Sequence, residues 1–344
     1  MLKKIENNSW FEDEIIDTPP TEYIEENIFV DENFIKNKEL IRMDMNLIQS
    51  PIFSKNTKKK VNQVVTYFFN RNRDTYIKVT PSAGDYIPGE GEEKIFIALM
   101  QIMKERGMPQ KFMVTLSDLK NKLKMNTKAY SSIIKNSLIR LATTNYAFKN
   151  TLYSSSLKGV FGEEIITTMF SMKVITLSLK ENKKYRDIIL DKRIKEIYEI
   201  NISDHFYKNI IEKGYLVYNG NTLLNIDSST ARTIYMLIEK LRFDRLYLKI
   251  DTIYLIKRIP LKYVKRTLSI TIKTLEKAFE ELVNKELISN FNFIKESTWE
   301  NSEIEINFPE SSNDEKLNRF YEDRNDWRKI QTSLPVLSGT VNTL

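Results

Sequence analysis

Two stretches of this chain run through the same order of periodic segments, and that order narrows the possible folds more than any single motif. In the first, VNQVVTYFFN and RDTYIKVTP have the β-branched, aromatic and alternating character of strands, with Ile77 and Val79 set between Tyr76, Lys78 and Thr80. SAGD supplies a turn. EGEEKIFIALMQIMKERG reads as a helix, with acids in its first turn and Gly107 just past its end. A short strand, KFMVTL, follows, and Ser117-Asp118 at its exit is expected to cap the helix LKNKLKM. After a polar break at Asn126-Thr127 comes the longer helix KAYSSIIKNSLIRLATT. NYAFKNTLY and EEIITTMFSMKVITLSL are expected to pair as its hairpin.

The second stretch opens on KEIYEINIS, which alternates as a strand, and on DHFYKNIIEKG, a short helix ending at Gly214. DSSTARTIYMLIEKLRF takes Ser228 or Ser229 as its cap and Ala231, Ile234, Leu237, Ile238 and Leu241 as its buried stripe. The strand RLYLKI, the helix TIYLIKR after Asp251, a break at Pro260 and the long helix SITIKTLEKAFEELVNKELI follow, before ELISNFNFI and EIEINF form a hairpin.

Helix, short strand, helix, turn, longer helix and β-hairpin is the winged-helix order. The expected fold class is therefore α+β, two tandem winged-helix domains with acidic flanking tails. Residues 1–45 form an acidic extension expected to be largely disordered, 46–180 the first domain, 181–192 a linker and 193–308 the second domain. Residues 309–344 form a C-terminal tail, with a possible helix from Ser312 or Asn313.

On the first long helix, 127–143, Tyr130, Ile133, Ile134, Leu138 and Leu141 fall on one face. Lys128, Ser131, Ser132, Lys135 and Asn136 fall on the other, with Ile139 out of place. An ordinary amphipathic surface helix has the same pattern. The second long helix says more. From Lys257 to Lys277 lie Lys257, Arg258, Lys262, Lys265, Arg266, Lys273 and Lys277, against the single acid Glu276. Thr271, Lys273, Thr274 and Lys277 lie away from the stripe Ile272, Leu275, Phe279 and Leu282, near the end that would enter a groove; Glu280 and Glu281 follow where the helix would leave it. Amines and guanidinium groups neutralise phosphate, and hydroxyls can reach base edges.

The charge agrees with a polyanionic partner once it is divided along the chain. The 344 residues carry a net +7, but residues 1–50 hold twelve acids and five bases, and residues 300–344 nine acids and five bases. The body, 51–299, is thus about +18, flanked by −7 and −4. Lysine dominates the bases and the chain is rich in Ile and Asn, so AT-rich coding contributes to the bias. The flanks read as solubilising segments, or as segments that compete with nucleic acid for the body. No basic start leads into an apolar run, and no stretch approaches the length of a membrane span, so a cytoplasmic protein without membrane contact is expected.

There is no cysteine, and His205 is the one histidine. Those counts exclude disulfide scaffolds, cysteine zinc sites, cysteine nucleophiles and the paired histidines of rolling-circle initiators. PGEGEEK at 88–94 has the wrong spacing for a phosphate loop, and its acids would repel phosphate. His205 reads as an ordinary helix residue. The expectation is a protein with no catalytic residue, no metal site and no cofactor. A nuclease or primase with scattered carboxylates, and a structural protein with an incidentally basic body, stay open beside it.

Over roughly residues 46–308 the chain resembles the plasmid replication initiator proteins of the tandem winged-helix type, replication initiator protein A. The segments that carry the likeness are NLIQSPIFS with TYIKVTPSAGDYIPGEGEEKIFIALMQI, and DSSTARTIYMLIEKLRF with RLYLKIDTIYLI. GEGEEK is more acidic and glycine-rich than the pattern, and residues 1–45 lie outside it. The resemblance implies a sequence-specific protein that binds direct repeats at a plasmid origin, promotes opening of an AT-rich duplex, and recruits a host initiator and helicase. It implies a possible homodimer through the first domain. It also implies DNA contacts from Lys128, Ser131, Ser132 and Lys135, and from Lys262, Lys265, Arg266, Thr271, Lys273, Thr274 and Lys277. A winged-helix transcription regulator is the alternative within the DNA-binding class.

Overall fold

A computed structural model describes residues 35–56, 58–178, 185 and 193–333. The described chain opens on β1 (Leu40–Asp44), buried along its whole length, and on the short α1 (Met45–Gln49), which Asp44 caps by accepting from the Asn46 amide. β2 (Val65–Phe68) and β3 (Tyr76–Thr80) pair antiparallel. α2 (Glu90–Glu105) starts where the Glu92 carboxylate reaches back to the Gly89 amide at 2.8 Å, with Glu90 and Glu93 also in the favourable N-terminal field. β4 (Lys111–Val114) leads to α3 (Leu116–Lys122) and α4 (Tyr130–Thr143). The cap of α3 is Thr115, not Ser117-Asp118: the Thr115 hydroxyl accepts from the Asp118 amide at 3.0 Å and the Asp118 carboxylate accepts from the Thr115 amide at 2.8 Å.

β5 (Asn145–Lys149), β6 (Tyr153–Ser154), β7 (Gly159–Val160) and β8 (Glu164–Thr167) come next, followed by β9 (Phe170–Thr176) and β10 (Glu196–Ile202). The expected pairing of the segments after α4 holds only for β5 and β8, which join β2 and β3 in a four-stranded sheet ordered β2-β3-β5-β8. The wing is made instead by β9 and β10, in a sheet ordered β4-β10-β9. The strand in KEIYEINIS thus completes the sheet of the first unit rather than opening the second. The expected linker 181–192 lies outside the described residues apart from Tyr185.

α5 (Asp204–Ile211) carries His205, whose ring meets Phe161 edge-on at 5.5 Å. β11 (Tyr215–Asn219) pairs antiparallel with β1, so residues 40–45 are a packed part of the fold rather than a loose extension; residues 1–34 lie outside the described residues. The second unit follows α6 (Gly220–Asn225). It runs α7 (Ser229–Leu241), β12 (Tyr247–Asp251), α8 (Thr252–Arg258), a 3-10 turn at Lys265–Thr267, α9 (Leu268–Asn284), β13 (Asn290–Lys295) and β14 (Ser302–Asn307). Its sheet order, β12-β14-β13, places the last strand centrally, as β4-β10-β9 does in the first unit. Both units are winged helices, and the first carries β5 to β8 as an insertion between its long helix and its wing.

One continuous apolar core runs through both units. At their junction, Glu93 of α2 is buried and accepts from Lys55 at 3.1 Å, from Arg232 at 2.7 Å and from the hydroxyls of Ser229 and Thr233 on α7. Burial alone would raise the Glu93 carboxyl, but the Lys55 and Arg232 charges hold it below the usual range. Its neighbour Glu92 turns the other way, to Ser137 and Arg140 of α4. The acidic turn that departs from the initiator pattern is thus a structural joint. Close by, the Gln101 amide donates to Asn221 at 2.9 Å, and a Cβ at Gly220 would lie 2.7 Å from the Gln101 side chain. A larger residue at 220 would have to displace the Gln101 side chain from that position.

The C-terminal tail contains α10 (Ser312–Ser333), beginning where one was expected, but it docks on the body instead of standing off it. Asp323 is fully buried and receives Arg42 at 2.6 Å and Lys104 at 2.8 Å; Asp326 takes Lys104 at 3.4 Å and the Lys36 amide at 3.1 Å. Nearer its start, Lys316 donates to the Glu239 and Phe243 carbonyls, and Arg319 pairs with Glu239 at 3.2 Å. Arg42 and Lys104 belong to the first unit and Glu239 to the second, so α10 straps the two together. No helix among the described residues is long and apolar enough to cross a membrane.

Candidate nucleic-acid interface

α9 is amphipathic because Leu268, Ile272, Leu275, Ala278, Phe279 and Leu282 recur at helical spacing and bury against the core. Phe279 stacks on Phe291 of the wing at 5.1 Å, which fixes helix against hairpin. The opposite face carries Ile270, Lys273 and Lys277, all exposed, with Thr274 at its flank. The turn that leads into α9 adds exposed Lys262, Lys265 and Arg266. Lys265 meets Glu300 of the wing at 3.1 Å while staying 80% exposed, an ion pair that solvent weakens. Among the described residues no carboxylate pairs with Lys262, Arg266, Lys273 or Lys277. Glu281, further along the helix, is engaged elsewhere: it accepts from the Asp227 amide at 2.6 Å and the Ser228 amide at 3.1 Å, at the start of α7.

Thr271, expected among the DNA contacts, does not face outward. It is only 8% exposed, and its hydroxyl donates to the Lys262 carbonyl at 2.8 Å. It holds the basic turn against the helix and is not itself on the open face. The Thr274 hydroxyl donates to the Ile270 carbonyl of its own helix at 3.2 Å and remains exposed. The side chains brought together on one surface are thus Lys262, Lys265, Arg266, Lys273, Thr274 and Lys277.

The first unit offers less charge. Lys128 is exposed just ahead of α4, Ser131 is half-buried, and Ser132 is exposed with its hydroxyl donating to the Ala129 carbonyl at 3.0 Å. Lys135 binds Glu196 of β10 at 2.9 Å, so its amine is already partnered. The Tyr198 hydroxyl, together with Lys135, holds that Glu196 carboxyl below the usual range. Ile133, expected on the packed face, is 45% exposed, because α4 meets the core chiefly through Ile134, Leu138 and Leu141, with Tyr130 and Ala142 packed beside them. Ile139 is exposed as its position required.

The exposed isoleucines, Ile133 and Ile270, were missed by reasoning that looked for polar contacts. Hydropathy could have marked Ile270, which stands opposite the Ile272–Leu275–Phe279 stripe. What the arrangement can do is bind a polyanion along one helix face, with Ile270 exposed among the cations of the helix and Tyr263 and Val264 among those of the turn before it.

No family model matches the chain, and no curated protein is detectably similar to it. Among solved structures it is similar to domains 2 and 3 of RctB, at 12% identity over 77% of this chain and 96% of that one, with a TM-score of 0.50. A second structure of RctB domains 2–3 gives 10% identity, 78% and 99% coverage, and a TM-score of 0.48. The Pi initiator protein in complex with iteron DNA gives 14% identity, 80% and 100% coverage, and a TM-score of 0.48. At such identities the RctB likeness is one of fold alone.

Proposed function

We propose that this chain is a sequence-specific DNA-binding initiator of plasmid replication. It binds repeated sites at an origin, promotes local opening of AT-rich duplex and recruits a host initiator and helicase. The observation that carries the DNA-binding part is the outward face of α9 and its leading turn, where Lys262, Arg266, Lys273 and Lys277 stand exposed on a winged helix without acidic partners among the described residues. The resemblance over residues 46–308, together with a fold shared with RctB domains 2 and 3, supplies the replication part. The partner in this reading is double-stranded DNA, the protein carries no catalytic group, and a homodimer would form through the first unit.

Two linked units on one duplex gain from effective concentration, so each can bind weakly and the pair tightly. The test is fluorescence anisotropy of the full chain on duplexes tiled across the DNA around its own gene, from low to physiological salt. Four phosphates neutralised by the four unpaired cations give a slope of about −3.6 in log K against log salt. Absence of binding at low salt would overturn the reading. Permanganate reactivity in an AT-rich flank of the bound site marks an initiator; a bound site with an unreactive flank marks a transcription regulator instead.

A further inference from the structure

We infer that Ile270 is a specificity-determining residue that reads the C5 methyl group of a thymine in the major groove. The inference rests on the DNA-binding reading of α9 and adds to it which base the helix selects.

Ile270 is the third residue of α9 and 64% exposed. A β-branched side chain there is a poor choice for helix formation, and in the free protein its exposed surface contributes no burial. Its surroundings define what would cover it. Lys273 and Lys277 share its face one and two turns on, and Arg266 and Lys262 stand on the turn before it. Tyr263 and Val264 are exposed on that turn, but on the outward face of the helix itself Ile270 is the exposed apolar side chain, so the complementary ligand is anionic around its margin and apolar where the helix meets it. A major groove has that form: phosphates line its rim, and thymine alone among the four bases presents a methyl group on its floor. A ligand bound through phosphate alone would be served better by a hydroxyl or an amine at this position.

The first unit repeats the feature. α4 occupies the place of α9 in its own winged helix, and its first turn carries Ile133, 45% exposed, beside the exposed hydroxyl of Ser132. Two long helices with unrelated sequences each lift one isoleucine from the first turn out of the packed face. Local rules broken at the same place in both units point to a shared use.

The test starts from a random duplex pool, from which the full wild-type chain selects its preferred sequence. That duplex is resynthesised with each thymine replaced in turn by uracil, which lacks the methyl but keeps the hydrogen-bonding edge. At one thymine the replacement should lower wild-type affinity about fourfold, the equilibrium equivalent of one buried methyl. Ile270→Ala should bind the thymine and uracil duplexes equally at that position, while Ile270→Val keeps the discrimination. Both variants should melt with the wild type, since the side chain is exposed. Full thymine discrimination by Ile270→Ala at every position, or a selected sequence without thymine, overturns the inference and leaves DNA binding intact. Failure of the wild type to bind any duplex at low salt overturns both.

Discussion

Asp323→Ala should cost this fold more than any change on its exposed surface. The carboxylate sits on α10 with its side chain fully buried and holds two cations, Arg42 at 2.6 Å and Lys104 at 2.8 Å, each about 1% exposed. Deleting one member of a buried ion pair costs about 3–5 kcal/mol, because the remaining charge has lost both water and partner. Here two cations are left. Lys104 keeps Asp326 at 3.4 Å, whereas Arg42 keeps only the Ile210 carbonyl at 3.0 Å and the rings of Tyr215 and Trp327. One of its nitrogens, Nη2, already has no partner. The upper part of the range, about 4–5 kcal/mol, is therefore expected. Glu300→Ala, which deletes the exposed pair with Lys265, is the control and should cost under about 1 kcal/mol. Urea unfolding followed by tryptophan fluorescence reads both, since Trp327 lies 4.8 Å from the Arg42 guanidinium and senses undocking of α10 directly. The reasoning fails if Asp323→Ala shifts the midpoint no more than Glu300→Ala. It gains support if Arg42→Met combined with Asp323→Leu recovers most of the loss, since the pair is then replaced by apolar packing.

Three other variants probe different joints. Lys273→Ala with Lys277→Ala should reduce the salt slope of DNA binding by about 1.8 and weaken binding by about 1–3 kcal/mol if either amine reaches a base; an unchanged slope removes α9 from the interface. Glu93→Gln leaves Lys55 and Arg232 without their buried counter-charge and should cost about 3–5 kcal/mol. Calorimetry should then show the two units melting apart, and a single unshifted transition would refute the joint. Burial pushes the Asp44 carboxyl up to about 7, against the hydrogen bonds from Asn209 and Asn46. A raised carboxyl value favours the neutral form in the fold, so its stabilising contribution is complete below about pH 4 and is lost as pH rises toward 7. The melting temperature of the wild type relative to Asp44→Asn should fall across that window, and a constant difference would count against it.

Where local periodicity and tertiary packing agreed, the sequence was a good guide. α7, β12, α8, α9 and the second wing follow one another with short connections, and the apolar stripe of α9 fixes which cations face outward. The first wing was hidden because alternation marks a strand without naming its partner. β5 has Tyr146, Ala147 and Phe148 all buried, so both of its faces are covered, and nothing local separates that run from a wing strand. β9 finds its partner β10 only after 19 intervening residues. α10 has no sustained apolar stripe and so resembles a solvated tail in sequence; its docking side is a mostly polar line, Lys316, Arg319, Asp323 and Asp326 with Trp327 and Ile330, whose partners lie far away in sequence. Lys135 and Thr271 were placed on the correct helices, but their partners, Glu196 and the Lys262 carbonyl, arise from the fold alone.

The strap also has a consequence in time. The hydrogen bond from Arg42 to Asp323 spans 281 residues, so it joins nearly the first described strand to the last described helix. During synthesis both units emerge before α10, and domains fold as they emerge. Until Asp323 appears, Arg42 and Lys104 have no such counter-charge, so burying them is costly and the segment around β1 and the end of α2 is expected to settle last. Closing so long a loop is slow in comparison with local helix formation. A product cut short before α10 would still have the Glu93 joint between the units, but would keep Arg42 and Lys104 without their buried counter-charge.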